Sequence, residues 1–463
     1  MTDIKSAGPD TRRRAPMYGL VSAYLISQIG TAMSALAIPW LVLITTGSAA
    51  KTGLVGFVEM APYVLLQATG GPLADRVGLR RTCVTGNFAA ALAVASIPAL
   101  HAMDALSLGA LVGLVAVAGA VRGLADAATS PLVPGTAMLG EFELERAAGL
   151  YSAANRAGLL IGMPLAGVLI GATSAPTVVL IDAISFAVAA AIIAALVPPE
   201  AAPKTDPGAP LTVGGYGAQL GEGLRFLRAD RLLLGLVTTV AVMNLFDQAL
   251  TSVLLPVWVR ARLNDPAALG FIGGAMGIGA LVGVLVGAWI GSRLPRWGTY
   301  SFGSLLGASP PFAVLAFSNT LIPVLVVSVV AGIAGGVLNP IIGAVLYERI
   351  PPAMQTRVLG TIKASAWVGI PFGSLVGGGL ATAIGLRATL LVMAAAMLIT
   401  TLAPFAFPSW RTMNRAPVAE RGAADEHDLA PSRRSDGVRP AQGPSRGGNS
   451  TVTVSPPPGC GKA

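Results

Sequence analysis

Charged residues are scarce in this 463-residue chain: Asp, Glu, Lys and Arg make up 11% of it, whereas soluble domains carry about 25%. Hydrophobic residues make up 54%, and the mean hydropathy is +0.71. A chain this apolar cannot cover its surface with polar groups, so it must use lipid as its solvent. The composition therefore excludes an ordinary soluble protein.

Cysteine and histidine are almost absent, with two of each in the whole chain. Cys83 and Cys460 lie far apart, as do His101 and His427, so neither pair has the spacing of a disulfide or a metal site. The sequence also lacks a phosphate-binding glycine loop and a Ser/His/Asp pattern. We therefore expect no metal, no cofactor and no enzyme activity.

Long apolar segments are the main feature that the chain does have. Six occur within residues 17–197 and six more within residues 232–407. Each approaches or exceeds the ~20 residues that cross a bilayer as a helix. The sequence therefore predicts an all-α integral membrane protein with twelve transmembrane helices in two bundles of six.

Three other stretches flank these bundles. Residues 1–16 are polar and basic and predict an arm, whereas residues 408–463 are rich in Pro, Gly, Ser and Arg and predict a disordered tail. Residues 198–231 predict a linker between the bundles. Its last part, Leu220 to Arg231, has the apolar stripe of a short amphipathic helix that lies on the inner membrane surface.

The basic residues indicate the orientation of the chain. Most of the 31 lysine and arginine residues lie in the arm, the linker, the tail and the loops on the same side. Loops on the cytoplasmic side carry the excess of Lys and Arg. We therefore expect both termini to be cytoplasmic, in the cell (inner) membrane. The net charge of +9 then reflects topology, and no nucleic-acid partner is expected.

The two bundles resemble each other in sequence. A shift of 211 residues places Gly158 on Gly369 and Gly162 on Gly373, so the fifth and eleventh spans correspond. Two six-helix units in parallel repeat, with a site between them, are the architecture of a transporter that works by alternating access.

A charged hairpin joins the second and third spans. Its charges cannot lie in hydrocarbon, so the hairpin must lie at the membrane face. The acid Asp75 either helps to latch the two bundles by pairing with Arg76 or Arg80 and with a helix end of the other bundle, or belongs to a local turn whose arginines only set topology. The residues with a candidate role in this latch are Gly71, Asp75, Arg76, Gly78, Arg80 and Arg81.

This hairpin closely resembles the loop 2–3 signature of the major facilitator superfamily, Gly-x-Leu-Ala-Asp-Arg-x-Gly-x-Arg-Arg. Leu180 to Phe186 in the sixth span and Glu222 to Arg228 in the linker are similar to the drug:proton antiporter branch that includes macrolide-efflux-like proteins. The fifth span resembles the antiporter signature Gly-x-x-x-Gly-Pro-x-x-Gly-Gly, although its proline stands one residue late and an alanine replaces one glycine. The residues that carry this last match are Gly158, Gly162, Pro164 and Gly167.

The resemblance implies a monomeric twelve-helix exporter of drug-like or other amphipathic small molecules, driven by proton antiport. Other functions of the same fold stay open at this point. Siderophore or metabolite export and uptake share these signatures. A non-transporting membrane receptor would also have twelve spans, although ionisable residues inside several spans argue against it.

Two charged residues lie one helical turn apart in the fourth span. By position, Arg122 matches the family's span-four arginine, which the resemblance implies in proton coupling. We expect Arg122 to face the central cavity and Asp126 to join Arg76 or Arg80 in the latch. The alternative is a simple Arg122–Asp126 ion pair that makes burial tolerable.

Acidic residues in other spans are candidates for carrying the proton. Glu59 in the second span lies where a carboxyl group is suited to reversible protonation, although it could instead only hydrogen-bond a neighbour. Asp247, beside Asn244 and Gln248 in the seventh span, is a second candidate facing the cavity. Asp182 opens the sixth span and is interpreted as a helix-entry or packing residue.

Overall fold

The structure is a computed structural model that describes residues 9–201, 213–290 and 293–414. Those residues form helices and connecting turns, with no strand among them. Twelve of the helices are long and apolar enough to cross a membrane. The predicted all-α membrane fold is therefore confirmed.

We label the membrane-spanning helices α1 to α12. The first six are α1 (Pro9–Thr46), α2 (Ala49–Thr69), α3 (Leu79–Ala102), α4 (Leu108–Thr129), α5 (Leu144–Ala172) and α6 (Ala175–Leu196). The second six are α7 (Arg231–Arg262), α8 (Ala267–Ile290), α9 (Arg296–Phe317), α10 (Leu321–Arg349), α11 (Arg357–Ile384) and α12 (Leu386–Ala406). Shorter helices cover Gly71–Val77, Leu132–Leu139 and Val213–Ala229, the last of which we call the linker helix.

Polar side chains mark where several of these helices begin. The hydroxyls of Ser48, Ser107 and Ser174 accept hydrogen bonds from backbone N–H groups in the first turns of α2, α4 and α6. Asp230 does the same for α7, accepting from the N–H groups of residues 232 and 233. Burial raises the pKa of Asp230, but the hydrogen bond from Arg349 and these N–H groups outweigh it, so the pKa is lowered overall. These caps satisfy donors that a helix start leaves unpaired.

Two flanking segments differ from the expectations. A 3₁₀ turn at Pro408–Met413 packs onto the second bundle, where Trp410 is buried and stacks on Tyr300 at 5.4 Å between ring centroids. The first residues of the expected tail are therefore folded, because they bury an indole ring; residues 415–463 lie outside the described part. The apolar face of the linker helix also packs on protein, with Leu227 buried in one cluster with Val358 of α11.

Each set of six helices packs into its own bundle. In the first bundle, α1 packs against α5 and α6, α2 against α4, and α3 against α4 and α6. In the second bundle, α8 packs against α10, α7 against α11, and α9 against α10 and α12. Between the bundles, α2 contacts α11 and α5 contacts α8. The fold thus places two interfaces where one bundle can move against the other.

The bundles touch closely at one end, which we call the closed end. There, Gly53 of α2 packs on the backbone of Ser374 in α11, and Gly167 of α5 packs on the backbone of Gly270 in α8. Towards the opposite end, α2 and α11 are separated by a cavity of about 160 Å³. Residues on both helices line that cavity, among them Val64, Gln67, Lys363 and Trp367.

Gly167→Ala is expected to disfavour the closed end. A Cβ atom there would lie 2.5 Å from the backbone nitrogen of Gly270, closer than real contacts allow, so α5 and α8 must separate. A strain of about 1–3 kcal/mol shifts a two-state equilibrium by about 5- to 150-fold. Electron-spin distance measurements between labels at exposed Lys51 and Arg262, with Cys460 replaced by serine, should show a longer separation.

The matched control for this variant is Gly171→Ala, one turn further along α5. There a Cβ atom would meet its nearest neighbour at 3.9 Å, an ordinary contact. Its distance distribution should equal that of the unmodified protein. An unchanged distribution in Gly167→Ala as well would show that this contact does not hold the closed end.

Candidate functional site

A buried ion pair occupies the interior of the first bundle. The Arg122 Nη1 atom of α4 lies 3.4 Å from the Glu59 Oε1 atom of α2, and the two residues are only 9% and 8% exposed. Gly119 permits this approach, because a Cβ atom there would lie 2.1 Å from the backbone oxygen of Glu59. Arg122 thus pairs with Glu59, and the alternative of a simple pair with Asp126 does not describe the structure.

Two aromatic rings enclose the guanidinium of Arg122. Its central carbon lies 5.4 Å from the ring centroid of Tyr63 on α2 and 5.6 Å from that of Phe186 on α6. Cation–π contacts of this kind contribute about 2 kcal/mol when desolvated. The rings therefore hold the cation inside the bundle, away from water.

Asp126 has a different partner from the one expected. The hydroxyl of Tyr63 donates to its Oδ2 atom at 2.9 Å. Arg80, the expected partner, donates instead to the backbone oxygens of Val197 and Ala194 at 2.5 and 2.6 Å. The last carbonyl groups of a helix lack partners within the helix, so the end of α6 attracts this guanidinium. The expected pairing of Asp126 with Arg80 is wrong for this conformation.

Asp182 belongs to the same interior, which its sequence position did not reveal. It is 1% exposed and lies on α6 one turn before Phe186. Its Oδ1 atom accepts a hydrogen bond from the hydroxyl of Ser185 at 3.3 Å. Gly30 of α1 packs directly on it, since a Cβ atom there would lie 2.4 Å from that oxygen. The signal in the sequence that indicates this buried position is an acidic residue that lies seven residues inside an apolar helix.

We call these five residues the buried cluster: Glu59, Tyr63, Arg122, Asp126 and Asp182. The cluster contains three carboxyl groups and one guanidinium, contributed by α2, α4 and α6. A carboxylate without a counter-charge is costly to bury, and a protonated carboxyl group costs less. The cluster therefore has more acidic groups than its one guanidinium can balance.

Asp247 lies apart from the buried cluster, on α7. Its two polar neighbours anchor that helix to α11: the Asn244 amide donates to the Ala366 backbone oxygen at 2.9 Å, and the Gln248 amide lies 3.4 Å from the Ser374 hydroxyl. Asp247 instead faces a cavity between the bundles. The sequence-predicted proton candidates are thus divided between two places.

The charged hairpin forms a short helix, Gly71–Val77, followed by Gly78 with a φ of +98°. That φ suits glycine, because a Cβ atom would be strained there. Arg80 ties the hairpin to α6, as described above. In the part of the chain that the structure describes, Asp75 forms no ion pair with Arg76 or Arg80, and Arg81 forms none either.

The signature-like residues of α5 lie at helix interfaces. Gly158 packs on Gln28 of α1, and Gly162 packs on the backbone of the next residue of α1. Pro164 and Gly167 face Gly270 of α8 across the bundle interface. This motif therefore contacts both its own bundle and the other one.

Comparisons with known proteins cover most of the chain. The family model described as Major Facilitator Superfamily matches residues 20–250 and 237–441. The multidrug efflux pump Tap of Mycobacterium tuberculosis (strain ATCC 25618 / H37Rv) is 30% identical over 414 residues, which cover 88% of this chain and 97% of that protein. The multidrug efflux pump Tap of Mycolicibacterium fortuitum is 26% identical over 407 residues, covering 87% and 98% of the two chains.

Two solved structures are similar in fold. A mutant of the nucleoside transporter NupG superposes with a TM-score of 0.70 at 12% identity, covering 84% of this chain and 99% of its own. A bacterial homolog of the human lysosomal transporter Spinster, in an inward-facing and unoccupied conformation, has a TM-score of 0.65 at 14% identity, covering 89% and 100%. At these identities the likeness concerns the fold alone.

Proposed function

Because the chain belongs to the major facilitator superfamily, and is thus a multi-pass membrane transporter rather than an enzyme, we propose that it exports drug-like or other amphipathic small molecules by proton antiport. Two multidrug efflux pumps at 30% and 26% identity, matched over almost their full lengths, support the substrate class. The export direction and the coupling to protons go beyond what these relatives support.

The surplus of acidic groups in the buried cluster is the observation that supports proton coupling. Three carboxyl groups face one guanidinium inside the first bundle, and Glu59 is the one in contact with Arg122. A proton that binds Glu59 neutralises it and weakens this pair. Arg122 is then free to turn towards Asp182, on the helix that carries Phe186. Protonation thus changes the charge pairing among α2, α4 and α6.

The closed end is assigned to the outside of the cell membrane, with both termini in the cytoplasm. This orientation follows the loop arginines and lysines. The cavity between α2 and α11 then opens towards the cytoplasm, where a drug would enter. The intact Glu59–Arg122 pair fits a cluster that has released its proton to the cytoplasm and awaits a drug.

The hairpin is assigned to the cytoplasmic end and to the latch of the opposite conformation. Arg80 fixes it to α6 in the present state. Asp75, Arg76 and Arg81 would contact the second bundle when the cytoplasmic end closes. The absence of ion pairs for them within the described residues agrees with a latch that is released here.

Everted membrane vesicles test the proposal directly. Respiration acidifies their interior, so vesicles that contain the protein should accumulate ethidium and the neutral dye Nile red above the level of vesicles without it. A protonophore should remove this difference, because it collapses the gradient that drives antiport. Accumulation that persists after the gradient is gone would exclude proton antiport.

A further inference from the structure

A cavity of about 140 Å³ lies between the two bundles, away from the buried cluster. Leu36 of α1 and Met163 of α5 line it from the first bundle, and residues of α7 to α10 line it from the second, among them Met276 and Val324. Transporters built from two repeats bind their substrates between the repeats. The position of the cavity therefore suits a transported molecule.

Asp247 is the only ionisable residue among the described residues that line this cavity. Its carboxylate has no hydrogen bond or ion pair in the described part of the chain, and more than a third of the residue's surface is accessible. The other polar lining groups are satisfied: the hydroxyls of Thr251 and Ser328 donate to backbone oxygens at 2.8 and 2.7 Å. One acidic group thus faces the cavity without a partner.

Asp247 differs in this respect from the acids of the buried cluster. Glu59 has Arg122, and Asp126 has the hydroxyl of Tyr63. An ionised carboxylate beside apolar walls inside a membrane protein is costly unless a positive charge compensates it. Among the described residues no positive charge pairs with Asp247, so a cation that enters the cavity would supply it.

The helix that carries Asp247 is irregular at this point. A π-helical turn, Leu250–Leu254, begins three residues after Asp247. Such turns are rare and occur often at functional sites. The Ser252 hydroxyl in the turn lies 3.0 Å from that of Ser374 on α11, which fixes the turn to the neighbouring helix. Leu250 and Thr251 of this segment join Asp247 in the cavity wall.

The remaining wall suits an apolar body attached to that cation. Aliphatic side chains of both bundles form most of it, and Met163 and Met276 face it from α5 and α8. Methionine side chains are flexible and polarisable, and they are common at surfaces that accept ligands of different shape. The cavity therefore combines one fixed negative charge with an adaptable apolar surface.

We propose that Asp247 binds the positively charged group of the transported molecules, so that the preferred substrates are amphipathic organic cations. The inference rests on the proposed export function and adds its substrate class. Asp247 is then a specificity-determining residue, while the proton is carried by the buried cluster. Under this proposal Asp247 binds the substrate and is not the proton carrier that its sequence position suggests.

Equilibrium binding of a permanent cation tests the inference. Purified full-length protein in detergent would be titrated with radiolabelled benzyltrimethylammonium and, separately, with neopentylbenzene, its neutral carbon isostere. Asp247→Asn is expected to weaken binding of the cation by about 10- to 100-fold, because the variant loses the Coulomb attraction between the carboxylate and the quaternary ammonium group. Binding of the neutral probe should change by less than about twofold, because its apolar contacts are kept.

Two further variants make the result interpretable. Asp247→Glu keeps the charge and should retain most of the cation binding. Asp104→Asn removes an acid from an exposed loop, at a φ of +52° that asparagine tolerates, and should bind both probes normally. Selective loss of cation binding in Asp247→Asn, restored by glutamate, supports the inference. Unchanged cation binding, or equal loss of both probes in folded Asp247→Asn protein, overturns it.

The experiment is independent of proton coupling, because binding is measured at equilibrium with no gradient. If the protein binds the cation through Asp247 but transport does not depend on protons, only the antiport proposal fails. If antiport is found but Asp247→Asn binds the cation normally, only the substrate assignment fails.

Discussion

Arg122→Gln is expected to slow export by about 100-fold. The change leaves the carboxyl groups of Glu59 and Asp182 without their cation, inside a bundle where both residues are less than a tenth exposed. Breaking a buried pair by removing one partner costs about 3–5 kcal/mol. If about 3 kcal/mol of this cost raises the barrier of the conformational change that limits transport, the transport rate falls by about 100-fold. The aromatic contacts with Tyr63 and Phe186 are lost as well.

Arg122→Lys is the informative companion to this variant. Lysine keeps the positive charge but lacks the planar group that lies over two rings, so transport should be intermediate. Ethidium efflux from cells and elution of the purified protein as a single folded species would be measured for both variants. Full transport by folded Arg122→Gln protein would remove Arg122 from the mechanism.

Glu59→Gln is expected to hold the buried cluster in its proton-loaded form, and so to block both drug exchange and proton-driven accumulation. Glutamine has nearly the same shape as a protonated glutamate, and it cannot release a proton. Because the drug binds after the cluster has released its proton, exchange of unlabelled for labelled ethidium in proteoliposomes should be lost. Accumulation against an ethidium gradient, driven by a pH difference, should fall to the level of protein-free liposomes.

The control for this variant is Glu145→Gln, which removes an acid from the exposed first turn of α5. It should retain both exchange and driven accumulation. Driven accumulation by Glu59→Gln at the normal level would show that Glu59 does not carry the proton. The same measurement on Asp182→Asn would then decide whether the third buried acid does.

The membrane architecture was predictable because the bilayer imposes it on the sequence. A helix must be long and apolar to cross, so each of the twelve spans is recognisable in the sequence. Irregular features were not predictable in the same way. The π-helical turn at Leu250–Leu254 depends on contacts with α11, and the folded turn at Trp410 depends on a ring stacked on Tyr300. Both are set by residues far away in the sequence.

The buried cluster was predictable only in part. Glu59 and Arg122 stood out because ionisable groups are rare inside membrane helices. Their pairing was not evident from the sequence, since it depends on the close packing of α2 on Gly119 of α4. The sequence predicts a helix-entry or packing role for Asp182, because apolar residues on both sides do not show where the helix begins. The predicted pairing of Arg80 with Asp126 is wrong because the carbonyl groups at the end of α6 compete with the carboxylate for the guanidinium.

Proton counterflow in liposomes tests the central claim most directly. Purified protein would be reconstituted with entrapped pyranine at equal pH and potassium on both sides, with valinomycin to hold the membrane potential at zero. Adding ethidium outside should raise the internal pH as protons leave in exchange for the entering drug. Glu59→Gln liposomes should show no such rise. Ethidium entry through the unmodified protein without any change of internal pH would contradict proton antiport.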